Sequence, residues 1–140
     1  TAATSLSWAW SIAEFAGVDT SGADGSGAVV QSATNRSELT NPLTVTLAAF
    51  ADAVNNVAFG AFGNNGITIT PGSGFTELGE GSATTPSVFV ETEWKIGEDL
   101  SVDASAPTGV WYWGGVAVEI KAAAAAAAFA PRMALLGVGR

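Results

Sequence analysis

Two glutamates in the run SVFVETEWKI are the first residues whose spacing could support chemistry. Glu91 and Glu93 lie two positions apart, so in a β-strand they would share one face and could direct two carboxylates at a sugar or a metal ion. The catalytic carboxylate pairs of glycosidases usually come from different strands, and Lys95 continues the same face. We therefore interpret the pair as a solvent-facing stripe.

The loop GEDLSVD brings three further carboxylates together. Glu98, Asp99 and Asp103 offer the oxygen ligands that Ca²⁺ prefers, and a second acidic loop, VDTSGADGSG, contains Asp19 and Asp24. Neither loop has the spacing of a known calcium-binding loop, so both are expected to be ordinary acidic turns. No cofactor is predicted, and Ca²⁺ at Glu98, Asp99 and Asp103 is the one ion left open.

Nucleophilic catalysis is disfavoured by what the sequence lacks. It contains no histidine and no cysteine, so a nucleophile-plus-base arrangement could only use Lys95 or Lys121 as its base. The glycine-rich stretches GADGSG and GSGF are followed by neither a lysine nor a helical pattern, so they are interpreted as loops rather than phosphate-binding loops. We predict that the protein is not an enzyme and that it binds no transition metal.

Three consecutive aromatic residues, Trp111, Tyr112 and Trp113, are candidates for binding. In a strand Tyr112 faces away from both tryptophans, so a single core cannot bury all three side chains. Trp111 and Trp113 are therefore predicted to contact a ligand, either glycan rings that stack on the indoles or a neighbouring subunit. A second buried face, covered by a loop or by the chain's own tail, is the alternative. Trp8 and Trp10 alternate with small residues and are predicted to lie in the core.

Composition narrows the class of protein. The chain has 140 residues, enough for one domain with a substantial core, and its net charge is −8. Its five lysines and arginines are scattered, which disfavours binding to nucleic acid. The polar surface is supplied mostly by serine, threonine, asparagine and glycine. This composition is typical of extracellular and virion β proteins, so we expect an extracellular or virion-surface location. The first residues resemble no signal peptide and include no methionine, which indicates a processed or partial product.

A hydrophobic period of two predicts strands over most of the chain. LTVTLAAF places Leu43, Val45 and Leu47 on one face, and SLSWAWSIAEF, SVFVETEWKI and VWYWGGVAVEI alternate in the same way. Loops rich in glycine and serine separate these runs at roughly ten-residue spacing, which is typical of a sandwich or barrel. Asn65-Gly66 is the strongest hairpin signal.

The fold class predicted from these patterns is all-β. We expect an antiparallel, jelly-roll-like β-sandwich over residues 1–121 and a short C-terminal arm, helical or extended, over residues 122–140. The only helical candidate runs from Ala122 to Phe129, because seven consecutive alanines favour a helix and Pro131 would end it.

Several short motifs carry a resemblance to a known group. The chain resembles the C-terminal two thirds of a jelly-roll-like β-sandwich module of tailed-phage structural proteins and bacterial secreted or surface proteins. The resemblance lies in the order of five stretches: WSIAEFAGVDTSG, LTVTL, GFTELGEG, SVFVETEWKI and WYWGGVAVEIKAA. The match covers about residues 7 to 122. Members usually carry several more strands before this point, so the resemblance implies either a longer polypeptide or strands supplied by a neighbouring chain. It implies no catalytic activity.

The C-terminal arm is the second candidate for binding. A helix of about eight residues is unstable alone in water, and the run that follows is far shorter than the ~20 apolar residues of a membrane span. We therefore predict that the arm docks on a neighbouring subunit through its large apolar side chains, namely Phe129, Met133, Leu135, Leu136 and Val138.

The functional hypothesis that follows is a non-enzymatic structural protein of an extracellular assembly. In its most specific form it is a phage virion component, a capsid decoration or fibre protein, whose partners are its own copies or neighbouring structural proteins. The alternative hypothesis is a carbohydrate-binding, lectin-like module that uses Trp111 and Trp113.

Overall fold

The computed structural model describes residues 7–107 and 112–124, and the backbone of residues 130–139. Within these residues the chain forms one short 3₁₀ helix, Ala23–Ala28, and ten strands. The strands are β1 (Trp8–Ala16), β2 (Val29–Ser37), β3 (Leu43–Thr46), β4 (Val57–Asn64), β5 (Thr70–Pro71), β6 (Thr76–Thr84), β7 (Ser87–Ile96), β8 (Ser101–Ser105), β9 (Trp113–Ile120) and β10 (Ala130–Gly139).

The strands assemble into an antiparallel β-sandwich, so the predicted all-β class is confirmed. A five-stranded sheet has the order β2-β9-β4-β7-β6, and a three-stranded sheet with the order β3-β8-β5 packs on its inner face. The ribbon formed by β1 and β10 contacts β6 and β7 on the outer face. Strands therefore cover both faces of the sheet at β6 and β7. At β2, β9 and β4, strands cover only the inner face.

The core lies between the two larger sheets and follows the alternation of the sequence. Leu43 and Val45 of β3 are buried against Phe62 of β4 and Val102 of β8, as the LTVTL pattern predicted. Thr44 and Thr46 lie on the opposite face of β3. Because side chains of a strand alternate, this short run is enough to fix which face of the three-stranded sheet is apolar.

Two glycines make room for the ring of Phe62. A Cβ atom at Gly60 would lie 2.8 Å from both the Phe62 ring and the Val102 side chain, and a Cβ atom at Gly115 would lie 2.8 Å from the same ring. Carbon atoms do not approach so closely, so any larger residue at either position would displace the ring. These glycines serve packing within strands rather than turns between them.

The Asn65-Gly66 hairpin prediction is wrong. The side-chain oxygen of Asn64 accepts hydrogen bonds from the N–H groups of Gly66 (2.9 Å) and Ile67 (3.1 Å), which turns the chain out of the five-stranded sheet. The chain then enters β5, whose partner is β8 in the opposite sheet. The partners of β4 are β7 and β9, so the turn joins two sheets instead of two paired strands.

The orientation predicted for β1 is also wrong. Trp8 and Ile12 are about half exposed, and it is the small side chains of Ala9, Ser11 and Ala13 that face the five-stranded sheet. The Ser11 hydroxyl lies 3.0 Å from the Thr92 hydroxyl of β7. Small residues let β1 approach the sheet closely, whereas a face of indoles would hold it away.

The C-terminal segment pairs within its own chain. β10 runs antiparallel to β1, with Leu136 opposite Ser11 and Val138 opposite Ala9. Ala122 forms a β-bridge to Val18. The structure thus differs from the arm expected to reach a neighbour, since this segment supplies the backbone partner of β1. The greater part of the helical candidate, including Phe129, lies outside the described residues.

Candidate functional site

The predicted aromatic platform does not form around Trp113. This side chain is only 3 % exposed and belongs to the core beneath the three-stranded sheet, because β9 is an interior strand of the five-stranded sheet. Tyr112 is exposed, and Trp111 lies outside the described residues. The indole of Trp113 therefore cannot stack on a sugar, and the prediction that assigned it to a binding surface is wrong.

The candidate calcium site does not form either. Glu98 accepts a hydrogen bond from the N–H of Phe50 (2.8 Å), while Asp99 forms an ion pair with Lys95 (2.7 Å). Asp103 lies on β8 opposite Thr44, and burial raises the pKa of its carboxyl. Within residues 7–107 and 112–124, no group of three or more carboxylates is arranged to hold a metal ion.

The pair Glu91 and Glu93 is fully buried, so its interpretation as a solvent-facing stripe is wrong. Both side chains lie on the face of β7 that meets the three-stranded sheet, and the Glu93 carboxyl lies near Gly60 of β4 and Val102 of β8. One oxygen of Glu93 accepts a hydrogen bond from the N–H of Gly72 (2.7 Å). Its other oxygen, and both oxygens of Glu91, have no hydrogen-bond partner among the described residues.

The neighbours of this pair are also acidic. Glu77 and Glu80 of β6 lie directly opposite Glu93 and Glu91, because a bulge between Glu77 and Gly79 keeps both β6 glutamates in register. Burial, followed by the charges of Glu93, Glu77 and Glu80, raises the pKa of Glu91 to about 9. Burial likewise raises the pKa of Glu93 to about 8. Both carboxyls are enclosed, and their raised pKa values favour the neutral form at pH 7, so the pair is poorly suited to act as a nucleophile or base on a substrate.

A third buried glutamate, Glu119, has a full set of partners. Its carboxylate accepts hydrogen bonds from the side chains of Asn56 (2.5 Å) and Gln31 (2.8 Å) and from the N–H of Ala51 (2.9 Å). The Asn56 side-chain oxygen in turn accepts from the N–H of Ala122 (3.0 Å). Glu119 therefore anchors the loop between β3 and β4 to the end of β9, which is a structural role.

One surface that sequence reasoning missed is a row of side chains on the outer face of β1. Trp8, Trp10, Ile12 and Glu14 follow one another at every second position, and we call them the indole row. The two indole rings are stacked on each other, with their centroids 6.3 Å apart and their planes inclined by 20°. The spacing of the two tryptophans in WAW signals such a row, but alternation alone does not tell which face of a strand points outward.

A second surface is an apolar groove beside the ribbon, on the part of the outer sheet face that the ribbon leaves open. It has a volume of about 380 Å³, and the side chains that line it include Phe15, Val18, Val29, Phe59, Val118 and Ile120. Phe15 packs edge-on against Phe59, with ring centroids 5.7 Å apart. Val29 is 54 % exposed at the rim. Polar side chains are not among the residues that line this groove.

Comparison with protein-family models, curated proteins and solved structures finds no match for this chain. In the part of the chain that the structure describes, no helix has the length and apolar character needed to cross a membrane. Function must therefore be inferred from the two surfaces themselves.

Proposed function

We propose that this protein is a non-enzymatic structural subunit of an extracellular assembly and that it associates with other copies of itself through the apolar groove. The observation that carries the proposal is the apolar groove on the outer face of β2, β9 and β4. Val57 and Ile120 are buried at its base, Phe15, Phe59 and Val118 are only partly buried, and Val29 is 54 % exposed at the rim. Contiguous apolar surface of this kind marks interaction sites in soluble proteins.

The chemistry of the groove favours a protein partner over a small molecule. Sites for small molecules combine an apolar lining with a few polar groups that fix the orientation of the ligand. The side chains that line this groove are apolar, so it can bury a complementary apolar surface but offers little to orient a small ligand. A second copy brings such a surface of its own, as in the isologous interfaces of most homo-oligomers.

Several features support the absence of catalysis and the extracellular setting. The chain has neither histidine nor cysteine, and the paired glutamates Glu91 and Glu93 are enclosed. The polar surface is rich in uncharged residues, as in virion and secreted β proteins. The resemblance to phage structural modules makes a capsid decoration or fibre protein the most specific form of the proposal, and detection of the chain in purified virions by mass spectrometry would test that form.

Sedimentation velocity on the full chain and two variants tests the self-association. The wild-type chain should associate as its concentration rises, and Val29→Asp should be monomeric, because a carboxylate at the rim would have to be desolvated in the interface. Val54→Asp is the matched control, since Val54 is 72 % exposed on the loop before β4, away from the groove. A wild-type chain that stays monomeric at millimolar concentration, or a Val29→Asp variant that associates normally, would contradict the proposal.

A further inference from the structure

The indole row has the dimensions of a narrow, linear binding strip. Alternate side chains of a strand are about 6.7 Å apart, so the four side chains from Trp8 to Glu14 extend over about 20 Å. Trp8 is 51 % exposed and Ile12 is 48 % exposed. Two nearly parallel indoles, an aliphatic side chain and a carboxylate therefore face solvent in one line.

The partner strand leaves the indoles uncovered. In the register of the ribbon, Gly139 lies opposite Trp8 and Gly137 lies opposite Trp10. Directly opposed residues share one face of an antiparallel pair, and glycine has no side chain. The two positions of β10 nearest to the indoles on this face thus add no side chain beside the rings.

The exposed area suits a slender ligand better than a second protein. An aromatic side chain buries roughly 200 Å² when it is fully covered, so Trp8, Trp10 and Ile12 together offer about 250 Å² at their observed exposure. A stable protein interface needs about 800 Å² from each partner. The row alone is too small for a dimer, and it lies on the face of β1 opposite to Phe15 and the apolar groove.

The chemistry of the row and the charge of the chain define the ligand. Flat indole faces attract the C–H faces of pyranose rings, and the Glu14 carboxylate can accept hydrogen bonds from sugar hydroxyl groups. The net charge of −8 repels acidic polymers. We infer that the indole row binds a neutral polysaccharide chain, with sugar rings packed against the exposed parts of Trp8 and Trp10 and a hydroxyl group bound by Glu14.

Titration of the full chain with defined oligosaccharides tests this site. Cellohexaose, chitohexaose and mannohexaose serve as neutral probes and hexagalacturonate as the acidic probe, followed by calorimetry and by tryptophan fluorescence. At least one neutral hexaose should bind, and hexagalacturonate should not. Trp8→Ala and Trp10→Ala should each weaken binding about tenfold, the effect of removing an aromatic anchor. Trp8→Phe should weaken it less, because a smaller ring remains.

Tyr112→Ala is the matched control, since it removes an exposed aromatic side chain that is not part of the row. It should bind the sugar as the wild type does, and Val29→Asp should also bind normally, which separates this inference from the proposed self-association. Failure of all three neutral hexaoses to bind would overturn the inference. Sugar binding by Trp8→Ala that equals wild-type binding would also overturn the inference. If the wild type binds no sugar and Trp8→Ala loses self-association, the row contacts a second copy instead, and the inference is again wrong.

Discussion

At the residue scale, the buried glutamates show how one side-chain type meets two different environments in one fold. Glu119 meets three hydrogen-bond donors, whereas Glu91 meets acidic neighbours and no donor among the described residues. A carboxyl without donors or a cation is stable in a core only in its neutral form. Glu91 is thus expected to hold a proton that the unfolded chain releases. Glu93 accepts one hydrogen bond, from Gly72, but burial outweighs it and raises the pKa of Glu93 as well, so the same is expected there.

This difference predicts that stability falls as the pH rises from about 5 to about 8. Burial raises the pKa of Glu91 from 4.5 to about 9 and that of Glu93 from 4.5 to about 8, so over this interval the folded chain binds more protons than the unfolded chain. The free energy of unfolding should decrease by up to about 1.4 kcal/mol per pH unit for each group. Below the unfolded pKa both states are protonated and the contribution of these groups is complete.

Asp19 and Asp52, both partly buried, affect stability in the opposite sense at lower pH. A hydrogen bond from Lys121 lowers the pKa of Asp19, and hydrogen bonds from Asn55 lower that of Asp52. The contribution of these aspartates to stability is present above their pKa in the unfolded chain. It is lost as the pH falls through their lower pKa in the folded chain. Maximum stability is therefore expected near pH 4 to 5.

Urea denaturation between pH 4 and pH 9 measures this dependence. Glu91→Gln replaces the carboxyl with a neutral group of the same shape, so its stability should fall less steeply with pH than that of the wild type. Glu38→Gln is the control, because Glu38 is exposed on the loop after β2 and is not one of the charges that raise the pKa of Glu91 or Glu93. A wild-type chain that is equally stable at pH 5 and pH 8 would show that the pair is not protonated in the folded state.

At the element scale, the alternation of large and small residues predicted where strands form, but it did not reliably predict which face of each strand is buried. The run LTVTL gave the correct inward face because only one of its faces is apolar. In WAWSI both large and small faces are compatible with burial, and the outcome depends on β6 and β7, which pack against β1 from distant parts of the sequence. The burial of Glu91 and Glu93 was missed for the same reason, since it depends on the approach of β5 and the adjacent Gly72 to β7.

The pairing of β10 with β1 predicts the effect of truncation. A chain ending at Ala124 leaves β1 without its partner, so the melting temperature should fall while self-association through the apolar groove persists. Leu136→Pro is a milder companion variant, because proline removes a donor N–H from the strand opposite Ser11. If the truncated chain melts as the full chain does but no longer associates, the segment binds a neighbour, as its apolar sequence first suggested.

At the scale of the whole molecule, the fold separates two outward surfaces on either side of β1. The inner face of β1 borders the apolar groove through Phe15, and its outer face carries the indole row. In the assembly proposed above, the two surfaces would act together, one joining subunits and the other holding a polymer. Because each copy carries a net charge of −8, added salt should screen the repulsion between copies and strengthen their association.

Hydrogen exchange measured at low and high protein concentration tests the central claim most directly, because it locates the contact between copies. If neighbours dock on the apolar groove, the amides of residues 15–30 and 116–122 should exchange more slowly in the concentrated sample, and Val29→Asp should abolish that protection. Protection confined to residues 130–139, or exchange that is identical at both concentrations, would contradict self-association through the groove.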